Sequence, residues 1–408
     1  MSKVIVVGGG AAGCMAAYGA AMVGHQVILL EKNEKLGKKI YITGKGRCNF
    51  TNACDVEEFF KNVVSNPKFL YSSLYTFSPD STIDFVESQG IPTKVERGNR
   101  AFPVSDHSSD IIKALTKGLQ SYNVDVRLKT EVDHLLEKDG RVYGLQLKNG
   151  TSMECDHIIV CTGGLSYQTT GSTGDGYKFA QKLGLKVTDL RPALVPLDCK
   201  EDYIKEMQGL SLKNVNLSIY NGKKKLYDNF GEMMFTHFGI TGPLVLSASS
   251  IVGKYLDGNS LQGYIDLKPA LSTEELDGRI LRDFNENMNK HLSSVLKGLL
   301  PSSMVPIFIK IMEYDDKRQI NSITKEERGI LLALLKNFPL TITGLRDYKE
   351  AIITAGGISV KEIDPSTMKC KNIEGISFAG EVLDLDAFTG GFNLQIAFST
   401  GYLAGISI

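Results

Sequence analysis

The sequence predicts an α/β protein whose first domain is assembled from two separated pieces of chain, with a β-rich domain and a helical segment inserted between them. Three observations predict it. Residues 4–31 read as a strand, a glycine-rich loop, a small-residue helix and a second strand ending in an acid. Residues 191–270 change to period-two segments with tight turns, and the texture of strand followed by glycine loop returns after residue 340.

The elements follow in order. Val4 to Val7 is a continuous β-branched run, the pattern of a strand buried on both faces in a parallel sheet. Gly8-x-Gly10-x-x-Gly13 opens an Ala-rich helix running to about Gly24, and Val27 to Leu30 ends in Glu31, 18 residues beyond Gly13. This is the Rossmann-type dinucleotide fingerprint in its structural context. The glycines allow a tight turn and let a pyrophosphate approach the helix N-terminus, whose free N–H groups and positive dipole end favour anions. Glu31 stands where it would accept from an adenosine ribose. The motif alone does not separate NAD from FAD.

Residues 56–120 read as mostly helical, broken at Pro67, Pro79, Pro92 and Pro103, with Gly98 to Pro103 as a loop carrying Arg100 and Phe102. Asp139-Gly140 and Asn149-Gly150 punctuate a three-stranded meander over residues 129–155. Ile158 to Val160 is another buried strand, ending at Thr162-Gly163-Gly164. Val215 to Ile219 alternates, with a turn at Asn221-Gly222, which suggests a β-barrel; residues from about 272 to 338 show helical spacing at Ile280, Leu281, Phe284 and Met288. Ile376 to Ala379 is a late strand closed by Gly380-Glu381, and Thr389-Gly390-Gly391-Phe392-Asn393 leads into a final helix. The expected domains are 1–190 with 340–408, a β-rich insert at 191–270 and a helical insert at 271–339. The meander, the strand ending in Thr162-Gly163 and the late Gly380-Glu381 turn, in this order, favour FAD.

Composition bounds the function. The 408 residues are long enough for two or three cores. Lys+Arg and Asp+Glu both number 46, so no net field drives binding to polyphosphate, and nucleic acid is not an expected partner. Seven Cys without a CxxC pair fit a reduced chain and a cytoplasmic location. Neither a signal peptide nor a membrane-spanning apolar run is read, and no cluster has metal-ligand spacing.

Over nearly its whole length the chain resembles the flavoprotein family grouped with aminoacetone oxidase and flavin-dependent bile-acid dehydro-reductases. The residues carrying this are Gly8 to Gly13; Gly37 to Asn52, with its Arg47-Cys48-Asn49-Phe50-Thr51-Asn52 core; Gly98-x-Arg100-x-Phe102-Pro103; Phe235 to Pro243; Thr354 to Gly357; and Thr389-Gly390-Gly391-Phe392-Asn393-Leu394-Gln395. The resemblance implies a split FAD domain with β-barrel and helical inserts. Lys45 departs from it, standing where the family pattern has glycine.

The expected cofactor contacts are Gly8, Gly10, Ala12, Gly13, Glu31, Lys32, Lys39, Gly44, Arg47, Asn49, Val132, Thr162, Gly163, Gly380, Glu381, Gly390, Gly391, Asn393 and Leu394. Lys38, Lys39 and Arg47 are cations for the FAD phosphates. The helix after Gly391 aims its positive end at the flavin's N1–C2=O edge. His237 is the candidate proton or hydrogen-bond donor, and Arg100 the candidate for an anionic substrate. Cys48 reads as packing.

The expected function is FAD-dependent oxidoreduction of a small organic substrate. Two reactions remain open: NAD(P)H-dependent reduction of a conjugated C=C bond, as in dehydro-steroids or bile acids, and O2-linked oxidation of an amino-ketone. NAD(P)H would dock transiently, because a second Gly-x-Gly-x-x-Gly after a strand is absent. A non-catalytic flavin-binding regulator and an RNA-modifying flavoenzyme are the alternatives; oligomeric state is left open.

Overall fold

The structure, a computed structural model, describes all 408 residues and divides them into two compact units, residues 1–193 with 347–408, and residues 194–346. No helix is long and apolar enough to cross a membrane.

The first unit is organised by a five-stranded parallel sheet in the spatial order Ile376–Phe378, His157–Val160, Lys3–Val7, Gln26–Leu30, Asp125–Arg127. Val4, Ile5 and Val6 are fully buried, as a strand covered on both faces requires. The register sets Val7 beside both Val160 and Leu30, and Val160 beside Phe378. Four strands therefore end level, and the loops that follow them emerge side by side at one edge. Helix Ala11–Met22 lies against the final helix Phe392–Ile406, and both are mostly buried around their circumference. Their approach depends on small residues: a β-carbon on Gly401 or Gly405 would strike the carbonyl oxygen of Ala12 or Ala16.

The meander is present as Val132–Lys138, Arg141–Leu147 and Ser152–Glu154. Two features differ from the sequence reading. The expected loop at Gly98 to Pro103 is half of a hairpin, Thr93–Glu96 with Arg100–Pro103, extended by Thr51–Asn52. Asp125–Arg127 is a short exposed edge strand that pairs with Gln26–Leu30, too short and too polar to show period-two patterning.

The second unit contains a closed six-stranded barrel, Leu197–Cys199, Gly239–Thr241, Lys224–Phe235, Ser211–Asn221, Leu261–Asp266 and Phe338–Leu345, the last pairing back to the first. Its helices Thr273–Glu286 and Lys325–Lys336 each begin with a capping box, Ser272 with Glu275 and Thr324 with Glu327. Leu276, Ile280, Phe308 and Leu331 join Leu217, Phe235 and Phe338 in one apolar cluster. The segments expected as two inserts thus share one core, with helix Lys325–Lys336 packed against strands Leu261–Asp266 and Phe338–Leu345. The boundaries also move. Arg191–Ala193 pairs with Ile353–Ala355 in the first unit, and Phe338–Leu345 closes the barrel in the second.

Candidate dinucleotide site

At the level edge of the sheet, the glycine-rich loop is built for close approach. Gly8 has φ +105° and donates its N–H to Leu30 O at 2.8 Å; a β-carbon there would lie 2.6 Å from Cys161 O. A β-carbon at Gly13 would collide with the carbonyl oxygen of Gly8. Gly10 heads helix Ala11–Met22 without a side-chain cap, and nothing lies within 4 Å of a β-carbon placed on it. The helix thus presents uncapped N–H groups and the positive dipole end to open space, the arrangement that takes a pyrophosphate.

Glu31 is 8% exposed, and its carboxylate ties the loop together. Oε2 accepts from Gly9 N–H at 2.8 Å, and Oε1 accepts from the backbone N–H and the side-chain amide of Asn33 at 2.8 and 2.7 Å. A carboxylate has about four lone-pair sites, so capacity for a ribose hydroxyl remains. Lys32 Nζ reaches Asp175 Oδ2 and Thr173 Oγ1, both at 2.6 Å. Burial pushes the Asp175 carboxyl up, but Lys32, Thr173 and Lys178 together outweigh it and hold the group below its ordinary value.

The neighbouring loops add a second cluster. Thr162 Oγ1 accepts from Gly176 N–H at 3.1 Å, and Gly163 takes φ +73°. Glu381 follows Gly380 (φ +79°) and binds Lys39 Nζ through both oxygens at 2.7 and 3.0 Å. Glu381 Oε1 also accepts from Ser166 Oγ at 3.1 Å and Thr354 N–H at 2.9 Å. Lys39 and Glu381, expected separately as a phosphate partner and a ribityl acceptor, are one ion pair, 342 residues apart in sequence.

The final helix starts at Gly391 (φ +98°), again without a side-chain cap, preceded by Gly390 (φ +125°). Asn393 fastens the approach to this helix, accepting from Ala387 N–H at 3.0 Å and donating to Ala387 O at 2.8 Å. Asn52 donates to Gly390 O at 2.9 Å and to Gly98 O at 3.0 Å, while Thr51 Oγ1 donates to Gln395 Oε1 at 2.6 Å. In the same block Gly44, Lys45 and Gly46 have φ of +60°, +57° and +88°. Glycine suits all three positions, which is the physical reason for the family pattern that Lys45 breaks. Cys48 is fully buried, and burial pushes its thiol up to about 12, so it is neutral packing.

Other expected residues lie elsewhere. Arg47 is held by Glu96 Oε1 at 2.5 Å and Asp106 Oδ1 at 2.7 Å, and its guanidinium carbon sits 4.4 Å from the Phe102 ring centre. Hydrogen bonds donated to Glu96 and Asp106 raise its already high pKa. It is engaged by carboxylates rather than set facing a phosphate. Lys38 bonds Asn33 and Glu34. Val132 is buried at the start of the meander and Leu394 packs half-buried against the core, whereas Ala12 stays at the site as the second residue of the uncapped helix, against Gly380. Arg100 is exposed beside Phe102. His237 is exposed in the turn joining two barrel strands, edge-on to Phe238 at 5.0 Å, and belongs to the second unit. Sequence reasoning passed over Asn33, Asn52, Ser166 and Thr354 as site residues. Asn52 and Thr354 lay within the blocks already singled out, while Asn33 and Ser166 had no signal.

These residues fit an FAD. The uncapped N-terminus behind Gly10 suits a pyrophosphate and Glu31 a ribose. Asn49 Oδ1 is buried without a partner, so this acceptor calls for a donor such as a flavin N–H. The model of the family described as HI0933-like protein Rossmann domain matches residues 2–407. A 3-dehydro-bile acid delta(4,6)-reductase of Clostridium scindens is 30% identical over 414 aligned positions, covering 99% of this chain and 98% of that protein. A ribosomal RNA dihydrouridine synthase of Haemophilus influenzae is 31% identical, covering 100% and 98%. Among solved structures, a 3-ketosteroid delta1-dehydrogenase from Sterolibacterium denitrificans shares the fold at a TM-score of 0.52 and 14% identity, over 99% of this chain and 98% of that one.

Proposed function

The chain belongs to the HI0933-like Rossmann-domain family of FAD-binding oxidoreductases, and from that premise we propose that it reduces a carbon–carbon double bond conjugated to a carbonyl, with a nicotinamide nucleotide as electron donor. The observation that carries this reading is what two full-length relatives have in common. The names of a Δ4,6-reductase of 3-dehydro bile acids and of a dihydrouridine synthase both describe saturation of a double bond conjugated to a carbonyl, in a steroid dienone and in the uracil ring. In both, the carbonyl oxygen can take up the electron pair displaced as the bond is reduced.

When bound, FAD supplies the hydride chemistry; the chain supplies placement and electrostatics. Gly8 to Gly13 and Glu31 would hold the adenosine diphosphate half, and Glu381, locked by Lys39, Ser166 and Thr354, would accept from the ribityl chain. The uncapped helix behind Gly391 would favour negative charge on a flavin ring edge held before it.

Anaerobic absorbance of the purified protein tests the reading. NADH or NADPH should bleach the visible flavin band, and a 3-oxo-4,6-diene steroid or a uridine-containing RNA should restore it. Bleaching by an amino-ketone, with recovery only on admission of O2, would replace the reductase by an oxidase.

A further inference from the structure

We propose that the turn from Arg97 to Arg100 recognises an anionic group on the substrate, a carboxylate or a phosphate, so that the enzyme acts on conjugated carbonyl compounds bearing a negative charge. This deepens the reductase reading and rests on it. Glu96 and Arg100 stand opposite each other in the backbone register of the hairpin, and Gly98 (φ +78°) and Asn99 (φ +56°) make the reversal. The turn is pinned from within the domain. Asn52 Nδ2 donates to Gly98 O at 3.0 Å and Ala53 N–H to Asn99 O at 2.7 Å. The same Asn52 amide donates to Gly390 O at 2.9 Å, so one side chain holds the turn against the glycines that open the final helix.

The charges on this hairpin do not balance. Arg47 and Lys94 are matched by Glu96 and Asp106 in a closed quartet. Arg97 and Arg100 are exposed and outside that quartet, and neither has a carboxylate partner. Arg100 Nε donates to Arg97 O at 3.0 Å, which orients the guanidinium beside Phe102. With Nε engaged, the two terminal nitrogens form the free edge, a pair of donors spaced for the two oxygens of a carboxylate or phosphate. Two unmatched cations on a rigid turn, beside the positive end of a 15-residue helix, make a local anion-attracting field in a chain of zero net charge. The pinning lowers the conformational cost of presenting that field to a ligand.

The test uses holoenzyme with 3-oxo-4-cholenoic acid and its methyl ester, and in parallel a uridine-containing RNA oligomer and free uridine. The double variant Arg97→Gln, Arg100→Gln should keep its flavin content and lose about 10-fold or more of the charged-over-neutral preference in kcat/KM, through KM, with a flatter salt dependence. Arg100→Lys should fall between, because the charge stays and the fork goes. Loss confined to acid over ester assigns a carboxylate; loss confined to oligomer over uridine assigns phosphodiesters. Perturbation of the oxidised-flavin spectrum measures binding of each probe without turnover. Equal dissociation constants for wild type and double variant with both charged probes would overturn the anion role and leave the reductase reading intact. Binding lost on substitution, in a protein that reduces no enone or uracil, would overturn the reductase reading and keep the anion role. A loss appearing only in KM for NADPH would assign the turn to the electron donor and overturn the proposal.

Discussion

Acidification should loosen the sheet that carries both halves of the site, and His157 is where that effect is concentrated. His157 is 7% exposed on the strand leading to Thr162-Gly163, and its Nε2 lies 2.8 Å from Ser377 Oγ on the adjacent strand, which leads to Gly380-Glu381. Burial pushes the imidazole down from 6.5 to about 4, and Lys369, Arg141 and His25 add repulsion. Above 6.5 the ring is neutral in folded and unfolded chains alike, so it contributes no pH dependence there. Between 6.5 and about 4 the unfolded chain binds a proton that the folded chain refuses, and stability falls as pH falls. At roughly 1.4 kcal/mol per pH unit the full window amounts to about 3 kcal/mol, of which about 2 kcal/mol is lost between pH 7 and pH 5. Urea unfolding, followed by far-UV circular dichroism and by flavin release at both pH values, reads it. With a slope of about 3 kcal/mol per molar urea, the wild-type midpoint should drop by about 0.7 M more than that of His157→Gln, which keeps a polar group near Ser377 but cannot be protonated. The same pH dependence in both proteins would refute the argument, because the carboxylates that titrate nearby are common to the two.

Further substitutions probe the site. Glu31→Ala removes the acceptor for Gly9 and Asn33 and the proposed ribose contact together, so FAD affinity should fall at least about 10-fold; full flavin occupancy after gel filtration would take Glu31 out of the site. Lys45→Gly relieves a left-handed backbone at φ +57° and should raise the thermal midpoint by roughly 1–3 °C, whereas Lys45→Val should lower it; an unchanged midpoint in both would mean the loop readjusts at no cost.

Much of the first unit was legible in the sequence because parallel strands and dinucleotide loops have local signatures. A β-branched run followed by Gly8-x-Gly10-x-x-Gly13 encodes a strand, a turn and a helix start within a few residues of one another, and Glu31 falls at a fixed distance beyond. Asp139-Gly140 and Asn149-Gly150 set the meander in the same local way. Arg100–Pro103 was misread as a loop because a four-residue strand following a Gly-Asn turn shows too little alternation to register.

The sequence by itself determined that the chain carries a split Rossmann-type domain with a β-rich insert, since those patterns depend on side-chain period and glycine φ, which act over short ranges. Only the tertiary structure decided which charges meet. Lys39 finds Glu381 across 342 residues, Arg47 turns to Glu96 and Asp106, and Arg97 and Arg100 are left unmatched beside Gly390. Ion pairing depends on distances of a few ångströms between residues remote in sequence, and those distances are set by strand register and helix packing, which no local pattern encodes.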